Sequence, residues 1–249
     1  MTFLATLACT LAVCCALREP IRRVPWAFYL LAVALVVAFF AVDTDLLPRW
    51  AAQGVLSLMR KCMLPTALFV IVMYVGVLPK SSSARRWMQP LRTPLSIVAC
   101  ILVLGHMVRY FAVYAPRVLS GAAVSTNVLV SFVLAILLFA LLAVLGVTSL
   151  ETVRRHMTGS SWKRVQRFAY AFYALVYIHL MVMLAPSALS GRAGGLANVA
   201  VYTAVFGVYL ALRIMRARKD AAARATVAAT AEGGKPADKD GGACERCAP

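Results

Sequence analysis

No charged residue occurs between Asn127 and Ser149, and this run limits the fold more than any motif in the chain. Lipid offers backbone N–H and C=O groups no partner, so a segment inside a bilayer must pair them internally, as a helix or as part of a closed barrel. A helix needs roughly 20 mostly apolar residues to cross. Similar runs recur as far as Leu212, without the alternation of apolar and polar residues that marks strands. Of the 249 residues 62% are hydrophobic, and the mean hydropathy is +0.82. These features exclude an ordinary soluble domain and predict an all-α integral membrane protein, a bundle of about seven transmembrane helices.

The spans are expected near residues 1–17, 26–42, 62–78, 94–115, 127–149, 168–185 and 196–212, with an interfacial turn around Trp50. Arg18, Arg22 and Arg23 follow the first run instead of preceding it, the reverse of a cleavable signal. It therefore reads as a retained extra N-terminal helix, over 1–17, added to a six-helix core over 26–212. Lys and Arg then sort by side. With the N-terminus outside and the C-terminus in the cytoplasm, 20 of the 26 fall on the cytoplasmic side, five outside, and Arg109 within a span. Topology in the cell membrane thus accounts for the net charge of +17 without a nucleic-acid partner, and the basic loops also suit anionic lipid head groups.

From Arg213 the composition turns to charged residues, Ala, Gly, Thr and Pro, so 213–249 is expected to be a disordered cytoplasmic tail, with its Ala-rich piece near 221–231 a candidate transient helix. No domain for a nicotinamide or flavin nucleotide fits in it. The tail ends in Cys244-Glu-Arg-Cys247, the spacing of a dithiol pair or of half a zinc site, but without a second pair or a βαβ context. Cys9, Cys14, Cys15, Cys62 and Cys100 lie in or beside spans, where Cys packs as a small apolar residue. His156, in a basic loop, reads as solvated.

Ionisable groups inside spans are the candidates for chemistry, because placing them in hydrocarbon costs a few kcal/mol even on lenient scales. They are His106, Arg109 and His179. His106 lies 12 positions beyond Pro94 and His179 lies 12 beyond Arg167, which puts both about 18 Å up helices that run in the same direction. Two imidazoles at one depth in the outer half of the bilayer suit the opposite faces of one heme. Gly105 leaves room for a macrocycle, Arg109 lies one turn outward to pair with a propionate, and Tyr110, Tyr114 and Met183 are expected around them. The competing reading keeps His106 and His179 as separate, satisfied polar residues in helix contacts.

The stretch from Thr148 to His179 also resembles a known family. Its Thr148-Ser149 at a helix end, Arg154, Arg155 and Gly159 in a loop, then Trp162, an aromatic run through Phe168 and Tyr170, and His179 are similar to the ferric-reductase-like transmembrane family. The likeness is greatest to its bacterial branch of heme-binding membrane partners of a methionine sulfoxide reductase (MsrQ, or YedZ). Arg85, Arg86, Pro94 and His106 resemble the same family's upstream pattern, and the likeness covers about 62–212. Members with two stacked hemes carry an inner His 13 positions before each outer ligand; here those places hold Gln166 and Thr93, with Arg92 beside it. A glutamine amide is a poor heme ligand and arginine stays protonated.

The resemblance thus implies one heme b, held by His106 and His179, and an electron path whose inner half is carried otherwise, as in the similar STEAP metalloreductases, where a flavin occupies it. FMN or FAD on the basic loops around Arg85 and Arg154, with Arg155 beside the latter at its phosphate, or a quinone are the cofactors to expect beside the heme. The function so implied is a cytochrome b-type electron-transfer subunit of an oxidoreductase. It would pass electrons from quinol or a cytoplasmic flavoprotein to an acceptor or partner reductase outside. The alternative is a heme-free transporter or assembly factor in which His106, Arg109 and His179 line a polar path.

Overall fold

A computed structural model describes residues 3–43, 47–79, 81–149 and 151–233. Among them every regular element is helical: α1 (Phe3–Ala16), α2 (Arg18–Arg23), α3 (Pro25–Phe40), α4 (Arg49–Met59), α5 (Met63–Val77), α6 (Ser83–Met88), α7 (Arg92–Leu119), α8 (Thr126–Val147), α9 (Glu151–Arg155), α10 (Gly159–Gln166), α11 (Phe168–Leu189) and α12 (Ala193–Gly233), with short 3₁₀ turns at Ala41–Asp43 and Gln89–Leu91. The chain divides into two compact units, Met1–Tyr209 and Leu210–Pro249.

Four helical stretches are long and apolar enough to cross a membrane: Ser83–Leu119, Thr126–Val147, Gly159–Leu189 and Ala193–Thr226. The pair α4 and α5, bent by 45° at a short break, makes a fifth if counted as one span. Helices α1 and α3 are apolar but shorter, at 14 and 16 residues. Large apolar side chains point outward along α1, α3, α7, α8, α11 and α12, among them Leu30, Leu31, Val37, Val108, Phe111 and Val133, whereas α5 is mostly buried. In water such a surface would be an aggregation hazard, whereas against lipid tails it is the natural solvent. The fold fits a multi-pass protein of a lipid bilayer.

Local chemistry sets the ends. Pro25 opens α3, where a missing N–H costs nothing because the first turn leaves its N–H groups unpaired. Gly121 closes α7 at φ +69°, and its neighbours complete the motif: the Ala122 N–H donates to the Arg117 carbonyl at 3.0 Å and the Gly121 N–H to Val118 at 3.3 Å. Helix α7 consequently runs past Pro116, where the sequence reading ended the span at 115.

Two apolar clusters organise the first unit. The larger joins α1 to α7 through Phe39, Met59, Ile71, Leu95 and Leu102, among others. The smaller is built on Leu138 and Leu142 of α8 and Phe172 of α11, with Cys100 and Val103 of α7 and Leu175 and Val176 of α11 packed against it. The part of α12 within this unit lies along α1, α5 and α11: Phe3 meets Tyr202 with ring centroids 4.4 Å apart, the Tyr74 hydroxyl donates to the Val205 carbonyl at 2.6 Å, and Tyr173 stacks on Phe206 at 4.3 Å.

The segment 213–233, which includes the Ala-rich piece near 221–231, continues as helix in α12. Ala, Arg and Lys are strong helix formers, and Arg216 pairs with Asp220 one turn on, at 3.2 Å. Cys244 and Cys247 lie outside the described residues.

Candidate functional site

The two intramembrane histidines reach one neighbourhood by a simple geometric route. Phe172 of α11 and Leu138 of α8 share the smaller apolar cluster. Seven positions from each, in opposite chain directions on antiparallel helices, come His179 and Ser131, so both climb about 10 Å to the same level. They meet there, His179 Nδ1 and Ser131 Oγ 3.3 Å apart. On α7, Val103 belongs to the same cluster and His106 sits one turn beyond it.

His106 is held from the other side. Helices α4 and α5 are separated by a break in which Cys62 takes a left-handed conformation, φ 52° and ψ 28°. His106 donates from Nδ1 to the Met59 carbonyl at 2.9 Å, and the Tyr110 hydroxyl, one turn further along α7, donates to the Arg60 carbonyl at 3.0 Å. The His106 and Tyr110 rings lie 4.6 Å apart, and Tyr110 stacks on Tyr114 at 6.2 Å. A proton on Nδ1 leaves the Nε2 lone pair of His106 free, and a carbonyl or hydroxyl bonded to the other ring nitrogen is what orients a metal-binding imidazole.

Two half-buried imidazoles thus stand on α7 and α11, each with Nδ1 engaged by its own partner. Among the described residues no group of three or more His, Cys, Asp or Glu is gathered as a metal cage.

The neighbours expected to receive a macrocycle are placed otherwise. A Cβ built on Gly105 would lie 2.6 Å from both methyls of Val36, so the space Gly105 opens is filled by α3, and its small size serves the close α3–α7 approach. Arg109 donates from a terminal nitrogen to the Phe39 carbonyl at 3.0 Å and lies over the Phe39 and Phe40 rings at 4.7 and 5.9 Å. It closes the carbonyl end of α3, a place where a cation also meets the negative end of the helix dipole. Between these elements is a cleft of about 310 Å³, lined by Phe39, Leu56, Arg60, Arg109, Tyr110 and Val113. Met183 is exposed.

At the other end of α8 and α11, the stretch from Thr148 onward ties itself together. The Trp162 indole N–H donates to the Thr148 carbonyl at 3.1 Å, and the Gln166 amide donates to the hydroxyls of Thr148 and Ser149 at 3.3 and 3.2 Å. Thr158 caps α10 by accepting from the Ser161 N–H. Arg154 lies over Trp162 at 4.9 Å, with Arg155 beside it at the end of α9. His156 is exposed and donates to the Thr152 carbonyl, as a solvated loop residue would.

Sequence reasoning did not single out Ser131 or the break at Met59–Cys62. Ser131 carried a signal, a buried hydroxyl inside the otherwise apolar α8. The backbone carbonyls of the break carry none, since every residue has one.

No family model matches the chain, and no solved structure does. A protein of Treponema pallidum (strain Nichols), described only as an uncharacterized protein, is 34% identical over 236 residues, an alignment that takes in 92% of this chain. The chain spans 65% of that relative's length.

Proposed function

We propose that the protein is a cytochrome b-type electron-transfer subunit of the ferric-reductase-like kind, holding one heme b between His106 and His179. The observation that carries this reading is the convergence of two imidazoles one turn beyond a shared apolar cluster, each with Nδ1 engaged by its own partner. Heme supplies one-electron redox chemistry where it is bound. His106 and His179 would hold the heme iron, with their rings oriented through the Met59 carbonyl and the Ser131 hydroxyl. Gln166 serves as a clamp on α8 in place of an inner ligand, in keeping with a single heme.

In this reading the bent α4–α5 pair and the short α1 and α3 join the four long spans, giving seven passes of the cell membrane with the N-terminus outside and the C-terminus in the cytoplasm. Quinol or a flavin, FMN or FAD, donates from the cytoplasmic side, where Arg154 and Arg155 offer cations to a flavin phosphate, and a separate redox protein accepts outside.

A second reading draws on a different observation. His106, Arg109 and Tyr110 all bond to carbonyls at helix ends, which favours a structural, heme-free role in a transporter or assembly factor. An absorption spectrum separates the two. Protein purified from heme-replete cells shows a Soret band, a reducible α-band and one heme per chain if the first reading holds; absence of both bands overturns it.

A further inference from the structure

We propose that α2 and α6 together form a binding surface for an anionic phospholipid. These two short helices lie at one end of the bundle, where α1 gives way to α3 and α5 gives way to α7. They are tied by one residue: Arg18 of α2 donates from Nε to the Trp87 carbonyl at 3.1 Å, and its guanidinium lies 5.0 Å from the centre of the Trp87 ring. Arg22 is one turn further along α2, on the same face, and Arg23 follows it.

The charge of this surface is one-sided. Glu19 pairs with Arg18, Arg22 and Arg23, at 2.5, 2.9 and 3.7 Å, so a single carboxylate is shared among three guanidinium groups. It does not cover them. Arg22 and Arg23 remain 49% and 74% exposed, and α6 adds Arg85 and Arg86. Arg85 is drawn inward to the Leu78 carbonyl at 2.7 Å, whereas Arg86 stays outside, bonded to Ser83 at 3.3 Å.

Two exposed indoles show which partner suits it. Trp87 (40% exposed) sits within the basic surface, and Trp26 (61% exposed) stands at the first turn of α3, immediately beyond α2. Tryptophan at the end of an apolar helix marks the head-group layer of a bilayer. Guanidinium groups at that level meet lipid phosphates bidentately, and an anionic head group adds the charge that a zwitterionic one lacks. A soluble acidic protein would also answer the charge, but it would leave both indoles and the apolar helix ends beneath them to lipid, so the lipid is the occupant that fits both features.

The test uses the full chain in nanodiscs of equal parts phosphatidylcholine and phosphatidylglycerol, followed by detergent extraction and mass-spectrometric counting of the lipids retained. Wild type is expected to retain phosphatidylglycerol preferentially. Since one basic side chain near an anionic surface is worth about fivefold in partition, Arg22→Gln/Arg23→Gln/Arg86→Gln should reduce the enrichment at least about tenfold. Lys163→Gln/Arg164→Gln, which removes two cations from α10, should leave it intact. No enrichment in wild type, which would leave the surface to a soluble acidic partner, overturns the proposal. So does equal enrichment in the triple variant, or an equal loss in the α10 variant. If the triple variant does not fold, wild type is extracted at rising sodium chloride and Arg86→Gln is measured alone; enrichment insensitive to both overturns the proposal as well.

Discussion

His106 donates from Nδ1 to the carbonyl of Met59 at 2.9 Å, across the break that separates α4 from α5. The same carbonyl accepts the Cys62 N–H at 3.0 Å, so one oxygen anchors both the break and the histidine. His106→Gly should cost about 1 kcal/mol through this bond, the scale of a polar contact between membrane helices. It should abolish the low-spin heme spectrum altogether. Added imidazole should restore the spectrum without restoring the melting temperature. A spectrum unchanged in the variant would remove His106 from the ligand set.

Ser131 orients His179 without being a ligand itself. Ser131→Ala should keep heme bound but weaken its retention by about 10–100-fold, the usual effect of losing a second-shell partner. Heme transfer to apomyoglobin reports this directly, and a shift in midpoint potential should accompany it. If neither changes, Ser131 has no hold on the site.

Gly105 of α7 lies directly against the Val36 side chain of α3. Gly105→Ala places a methyl 2.6 Å from both Val36 methyls and should destabilise the fold by about 1–3 kcal/mol, the usual cost of overpacking. Adding Val36→Ala should recover much of that loss in thermal melts. Failure of the double variant to recover would mean that Gly105 is needed for something other than α3.

Gln166→Ala removes the two amide bonds to Thr148 and Ser149. Thermal stability should fall by about 1 kcal/mol while the heme spectrum and stoichiometry stay as they were. A variant that loses half its heme would show that Gln166 marks an inner site after all.

Tyr173 is buried, and its hydroxyl has no hydrogen-bond partner among the described residues, although its ring is well packed against Phe206 and Tyr209. An unpartnered buried hydroxyl costs about 1–3 kcal/mol. Tyr173→Phe, which keeps the ring, should therefore raise the melting temperature or leave it unchanged. A marked fall would reveal a bond to that oxygen.

Much of the helical layout was legible in the residues because the bilayer imposes one strong rule, that backbone groups pair within their own helix. Thus 127–149 was placed from apolarity alone and α8 runs Thr126–Val147. Counting from Pro94 and Arg167 gives His106 and His179 equal heights on their helices, and Val103, Leu175 and Val176 of those helices pack against one cluster. Partners were not legible. Whether Gly105 faces a cofactor or Val36 depends on how α3 rotates about its axis, and α3 is apolar on every side, so no stripe in its sequence sets that rotation. Arg109 illustrates the same limit: its distance from His106 follows from spacing, while its bond to Phe39 follows from where α3 stops. Over 213–233 only the Ala-rich piece near 221–231 signalled helix, because a loss of apolar residues removes the signal of a core without removing helix propensity.

The reach of α7 backward along the chain has a consequence for biogenesis. His106, Arg109 and Tyr110 attend to carbonyls of Met59, Phe39 and Arg60, all of them in segments that leave the ribosome first. Until α7 follows, these oxygens lack the donors that α7 brings, although the Met59 carbonyl already accepts the Cys62 N–H within the break. A chain interrupted before Arg92 should accordingly be cleared by membrane proteases, while one interrupted after Ser120 should survive long enough to be isolated.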